Sequence, residues 1–230
     1  MGRYKTVAVF FVAIAILALG VASPAWAGTF TSSQAESFFE SILGGSRARE
    51  IRNYRGTIID FIEDSGNLTT STLYSLKVDT TTPRFAKLQT IKGAFVGADP
   101  SATFALKAKT KIINAIKGSM ADMCNADYTK AASLIRKNYS KALADQTKIL
   151  NAVKTSSTQQ YNNSTLPLRK MRDSLERFYS FELYKQVRDA AITEGYRNYY
   201  ANLPPIIAAL NASSTVASTT LGSCLSSANN

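Results

Sequence analysis

Cys124 and Cys224 are the only two cysteines in this chain of 230 residues. They form no Cys-x-x-Cys redox pair, and two thiolates cannot complete a cysteine-only zinc site. In an oxidising compartment an even count points to one disulfide, closing a loop of about 100 residues. The alternative reading is two separate buried thiols. Histidine is absent, which removes the commonest general base near neutral pH and the commonest metal ligand. Ser-His-Asp and Cys-His catalysis are therefore excluded, as is any histidine-bearing zinc site. Asp173 and Glu176 share a helical face, but Lys170, Arg172 and Arg177 surround them, so they read as surface ion pairs rather than as an acid and a base. No serine or threonine stands in a nucleophile elbow, and there is no phosphate loop or EF-hand. This inventory offers no catalytic residue and no metal site, implies no cofactor, and reads as that of a non-enzyme.

The remaining chemistry is binding chemistry. Lys130, Lys137, Lys141 and Lys148 recur along one helical pattern, each about two residues past an apolar position. That places them roughly 200° around the helix, on the face opposite the apolar stripe. They read as an anion-binding face, or more plainly as the solvated side of an amphipathic helix. Phe178, Tyr179, Phe181, Tyr184, Tyr196, Tyr199 and Tyr200 are too many aromatic residues for one narrow stripe. Five of them, Phe178, Tyr179, Phe181, Tyr184 and Tyr199, are candidate contacts for a sugar or an apolar ligand, with core packing as the alternative. Five Asn-x-Ser/Thr triplets begin at Asn67, Asn138, Asn162, Asn163 and Asn211. In a secreted eukaryotic protein they are glycan acceptors. Asn67 and the adjoining Asn162 and Asn163 fall in stretches that read as loops.

The N-terminal segment sets the compartment. Arg3 and Lys5 precede an apolar run from Val7 to Leu19, and Ala25-Trp26-Ala27 is a small-x-small cleavage signal. This is the layout of a secretory signal peptide spanning residues 1–27, with Gly28 as the expected mature N-terminus. The apolar run is shorter than the roughly 20 residues a membrane span needs. Secretion favours the disulfide and makes nucleic acid an unsuitable partner. The leader carries two cations and no acid, so the formal net charge of +11 falls to +9. The charge is uneven: residues 28–64 are net acidic, while residues 65–150 carry most of the positive excess. Anionic glycans, microbial surfaces or anionic lipid heads would suit such a middle.

Helical periodicity supplies the scaffold for these residues. Ser33-Gln-Ala-Glu36 has the spacing of a capping box before a first helix, which Gly44-Gly45 ends. A second helix is predicted from Ser46 to Ile62, and a short helix or loop near Ser71–Leu76. A third helix should start at Thr82-Pro83 and close at Gly97. Asp99-Pro100 reads as the start of a helix of about fifty residues. Its apolar stripe includes Leu106, Ile113, Ile116, Met120, Cys124, Tyr128, Ile135, Tyr139, Ile149 and Val153, with Gly118 or Asn125 as points of bending. Residues 155–165 read as a polar link. Pro167 then opens another long helix, which Pro204-Pro205 should stop, and a last helix carries Ile206, Leu210, Leu221 and Cys224. The expected architecture is an all-α antiparallel helical bundle: a helical segment over residues 28–98, then a long-helix bundle over 99–230 closed by the disulfide. No stretch after the leader is apolar enough to span a membrane.

The stretch Met-Cys124-Asn-Ala-Asp-Tyr128-Thr-Lys-Ala and the late Gly-Ser-Cys224-Leu-Ser-Ser lie in an Ala/Ser/Thr/Asn-rich helical chain behind a leader. In this layout, residues 99–226 resemble insect secreted proteins of the TsetseEP-domain kind. The resemblance implies an all-helical protein of gut, haemolymph or reproductive secretions with no catalytic role. This chain has no Glu-Pro repeat tail and only two cysteines, so no richer disulfide pattern and no functional residue carries over. The sequence thus predicts a secreted helical glycoprotein that binds an extracellular partner, with an anionic glycan or an apolar ligand as the candidates. A carrier of apolar ligands and a basic defence protein that binds microbial surfaces are the alternatives.

Overall fold

The computed structural model describes residues 30–230, so the expected leader and cleavage site lie outside the described residues. Seven α-helices, with no strand among the described residues, make up the fold. They are α1 (Ser32–Leu43), α2 (Gly45–Glu50), α3 (Arg55–Asp64), α4 (Thr70–Val78), α5 (Arg84–Gly97), α6 (Thr103–Thr165) and α7 (Ser174–Asn229). The all-α class with two long helices is as the periodicity predicts. At 1.5 Å per residue, the 63 residues of α6 extend about 95 Å and the 56 residues of α7 about 84 Å. The two run antiparallel: Cys124 meets Cys224, Gln146 meets Asn202, and Val153 meets Gly195.

A head and an arm share these two helices. In the head, α1 presents Ala35, Phe38, Phe39, Ile42 and Leu43 on one face, as helical spacing requires. Phe39 and Phe61 both pack on Phe95, with ring centroids 6.1 and 5.9 Å apart. The same core takes in Ile112, Ile116 and Met120 of α6 and Ala228 of α7, so one cluster runs across residue 98. Beyond Cys124, α6 and α7 have only each other. Between Cys124 and the end of the arm, only Leu150, Ser157, Thr165 and Gly195 are buried. A pair of helices can cover one narrow stripe each, whereas a helix in the head is covered from several sides.

Several predicted boundaries move. The first capping box lies two residues earlier: Gln34 donates its backbone N–H to Thr31 Oγ1, and Thr31 donates its own to Gln34 Oε1. The helix expected over 46–62 is split by a 3-10 turn at Arg52–Tyr54. The break lets Arg47 pair with Asp122 of α6 while Arg55 pairs with Glu40 of α1. Asp99-Pro100 does not start α6. The chain stays extended to Ala102, held by Lys109, which donates to the Val96 and Ala98 carbonyls. Gly118 lies within continuous helix, and its missing side chain leaves room for the Arg47 guanidinium.

The polar link expected at 155–165 is the last part of α6. Ser157, Tyr161 and Ser164 pack across Leu183, Tyr184 and Val187 of α7, and Arg188 covers the Tyr161 ring at 4.7 Å. The hairpin turn falls at Leu166–Asp173 instead, through a 3-10 turn at Pro167–Lys170. Pro204 and Pro205 lie inside α7 rather than ending it. The apolar stripe continues through them from Tyr199 and Leu203 to Ile206 and Leu210, and the disulfide fixes the far end. Tertiary contact thus overrides a local cost of about 3 kcal/mol per interior proline. The predicted returning C-terminal helix is the second half of α7. In the stripe of α6, Leu150 takes the buried place expected for Ile149, and Leu106 is exposed.

Candidate functional site

The candidate site begins at the disulfide. Cys124 and Cys224 are bonded, with their Cα atoms 5.8 Å apart and 100 residues between them in sequence. The bond ties the two long helices together where the arm leaves the head. Beside it a groove of about 560 Å³ opens between Cys124–Ile135 of α6 and Ala212–Cys224 of α7. Its cause is compositional. Here α7 offers Ala212, Ser213, Ala217 and Thr220, which are too short to fill the space against Tyr128 and Ala131. Leu134 and Val216 stand at its rim, 58% and 66% exposed. Two further hollows follow along the arm. One of about 470 Å³ is bordered by Asn138, Tyr139, Pro205 and Ile206. The other, of about 460 Å³, is bordered by Arg136, Ser140, Asn211 and Ser214.

The four stripe lysines are all exposed on α6, as their spacing predicts. Lys130 lies 3.6 Å from Asp127, and no ion pair involves Lys137, Lys141 or Lys148 among the described residues. The stripe is drawn out over about 27 Å of helix, a line of single charges rather than a pocket.

The aromatic residues do not form one cluster. Phe178 and Tyr179 pack edge to face at 5.8 Å near the start of α7. Tyr196, Tyr199 and Tyr200 form a second group, with centroids 5.4 to 6.4 Å apart and Lys154 4.5 Å over the Tyr196 ring. Phe181 is half-buried between them in sequence. Of the five candidate ligand contacts, Tyr184 borders a small hollow of about 180 Å³ beneath Tyr161 and Arg188. The grooves beside the disulfide are lined by other residues.

All five sequon asparagines are exposed. Asn67 lies in the connection between α3 and α4, whereas Asn138, Asn162, Asn163 and Asn211 lie on helices, so the loop expected around Asn162 and Asn163 is helix. Asn138 and Asn211 border hollows of the arm. Asp173 is not an ion-pair partner of its neighbours. Its carboxylate caps α7, accepting from the backbone N–H groups of Leu175 at 2.8 Å and Glu176 at 3.0 Å.

Sequence reasoning missed the cations that close helix ends inside the head. Arg84 Nε donates to the Ile42 carbonyl at 2.6 Å, and Ser119 Oγ donates to that of Leu43 at 2.7 Å, completing the end of α1. Lys92 Nζ donates to the Ser227 and Ala228 carbonyls at the end of α7. Lys87 does the same for Asp79 just beyond α4. Helix C-termini leave unpaired carbonyls and a partial negative charge, and cations satisfy both. The signal was present: Lys87 and Lys92 sit among Leu88, Ile91 and Phe95, where an apolar stripe has no place for a solvated charge.

Displaced titrations also gather in the head. Hydrogen bonding and proximity to Arg47 hold the Asp122 carboxyl below its usual range, and Asp122 raises Arg47 in turn. Asp79 is lowered by hydrogen bonds from Thr81 and then Thr82. Burial lowers Lys92, with Lys117 adding to the effect. None of these groups borders the grooves, which are lined by apolar and neutral polar side chains with Asp127 and Arg136 at the edges. No group of three or more His, Cys, Asp or Glu residues is arranged to hold a metal ion among the described residues. No described helix is long and apolar enough to cross a membrane. The grooves offer shape and apolar contact. No protein-family model, curated protein or solved structure matches the chain.

Proposed function

We propose that the chain is a secreted, non-enzymatic helical glycoprotein that acts as a binding protein in an extracellular fluid, with the α6–α7 arm as its interaction surface. The observation that carries this reading is the apolar surface left uncovered along the arm, with Leu134 and Val216 flanking a groove of about 560 Å³. Soluble proteins rarely leave large contiguous apolar surface exposed unless it meets something. The disulfide holds the groove walls in register. The leader and the sequons support an extracellular setting.

A carrier of apolar ligands is the second reading, favoured by the groove's size, which is that of a small-molecule site. The groove is only partly enclosed, which suits an extended or helical partner better than a sealed cargo. Both readings are tested by collecting the protein from the medium of secreting cells and titrating it with an apolar fluorescent dye such as anilinonaphthalene sulfonate. The parent should enhance the dye's emission while folded, and Leu134→Glu with Val216→Glu should remove most of that signal. Equal emission from parent and variant would count against the groove.

A further inference from the structure

We infer that the hairpin end of the arm is a docking tip for anionic membrane surfaces. The α6–α7 turn brings two kinds of side chain together. Arg169, Lys170 and Arg172 are exposed, and none is in an ion pair among the described residues. Leu166, Leu175, Phe178 and Tyr179 stand beside them, each 61% to 67% exposed. Of the two acids nearby, Asp173 is engaged by the first backbone N–H groups of α7, and neither Asp173 nor Glu176 forms an ion pair with these cations among the described residues. Arg177 is half-buried and folds back toward the Met171 carbonyl at 3.5 Å. Residues 166–172 therefore present positive charge with no acid among them.

The apolar members share an orientation. Leu175, Phe178 and Tyr179 fall at i, i+3 and i+4, on one side of the first turns of α7. A hairpin between two helices needs no apolar side chains on its outer face, and a polar turn would close it equally well. Basic residues next to exposed aromatic and aliphatic ones suit a bilayer interface, where cations meet acidic headgroups and rings settle at headgroup depth. The tip needs no membrane-spanning segment. It lies about 36 Å beyond the last residue of α6 that borders the grooves, Ala142, so it stands independently of the groove reading. A soluble acidic glycan would be met by the cations alone and would leave the four apolar side chains unexplained.

Vesicle binding tests this. The secreted protein is sedimented with vesicles of phosphatidylcholine alone and of phosphatidylcholine with phosphatidylserine. Phe178→Trp, read against the parent's own emission, reports whether the tip leaves water. Binding to the acidic vesicles with a blue shift is expected. Replacing Arg169, Lys170 and Arg172 by glutamine should weaken it roughly 100-fold. Leu175→Ser with Phe178→Ser should also weaken it, while circular dichroism shows both variants still helical. The inference is overturned by equal binding to neutral vesicles, by absence of binding, by a charge variant that binds like the parent, or by binding to heparin without binding to vesicles.

Discussion

Lys92 Nζ lies 3.2 Å from the Ala228 carbonyl oxygen, joining α5 to the end of a helix 136 residues further along the chain. Ala228 is itself fully buried in the head core. The arm is thus held at its base twice, by a covalent bond at Cys124–Cys224 and by an ammonium group on the last carbonyls of α7. Lys92→Met keeps the aliphatic stem and deletes the donor, leaving buried carbonyls unsatisfied. A loss of about 1–3 kcal/mol is expected, measured by urea unfolding, with faster amide exchange confined to the last turn of α7.

Breaking the disulfide should cost more. A loop of 100 residues corresponds to at most about 4.7 kcal/mol in the chain-entropy account. Cys124→Ser with Cys224→Ser should lower stability by a few kcal/mol, approaching that limit. Because Lys92 still holds the end of α7, the reduced protein should keep its helical circular dichroism at 25 °C. Loss of most helicity on reduction would show that the core alone cannot hold the arm's base.

Two carboxylates predict that the head loses stability in acid. Asp79 and Asp122 are both held below their usual range, by Thr81 and Thr82 in one case and Arg47 in the other. The unfolded chain, with aspartates near 3.9, therefore binds more protons than the folded one in the interval below about pH 4. The stability they contribute is complete above that interval and is lost as pH falls through the folded values. Asp79→Asn and Asp122→Asn should each flatten the fall of Tm between about pH 4 and pH 2. Parallel profiles for parent and variants would refute the assignment.

Periodicity exposed the long helices because an apolar stripe repeated over many turns is a strong signal. It misplaced their ends because ends are set by partners. Ser157 and Tyr161 look like linker residues until α7 is laid against them, and Pro204-Pro205 looks like a stop until Cys224 holds the helix beyond it. The disulfide was legible from two cysteines behind an expected leader. The grooves were not: they arise where small residues of α7 fall short of Tyr128, Ala131 and Leu134 of α6, a property of neither segment alone. The lysine stripe was placed correctly on the outer face, whereas the aromatic residues divide into two groups because α7 winds past its one partner.

At Gly195 the two helices of the arm pack closely. A Cβ built there would lie 3.0 Å from Val153 Cγ1 and 3.4 Å from Leu150 Cδ1. Gly195→Ala should be near neutral, since about 1 kcal/mol of helix propensity is gained against a contact that the stiff Val153 cannot easily relieve. Gly195→Leu should force the helices apart and cost about 1–3 kcal/mol. Thermal melts of the two variants against the parent distinguish a packed seam from a loose one, for which leucine would be tolerated.

Pro204 and Pro205 lack the N–H groups that would bond the carbonyls of Tyr200 and Ala201. Pro205 also borders one of the hollows, opposite Asn138 and Tyr139. Replacing both prolines by alanine restores two backbone hydrogen bonds and removes two ring clashes, while the stripe through Leu203, Ile206 and Leu210 is unchanged. Stability should rise by about 1–3 kcal/mol, well short of the full propensity difference because the native contacts already hold the segment helical. If the prolines shape the hollow, the alanine variant should also bind less apolar dye per molecule at saturation. A stability gain with unchanged dye binding would assign the hollow to the small residues of α7 instead of to the prolines.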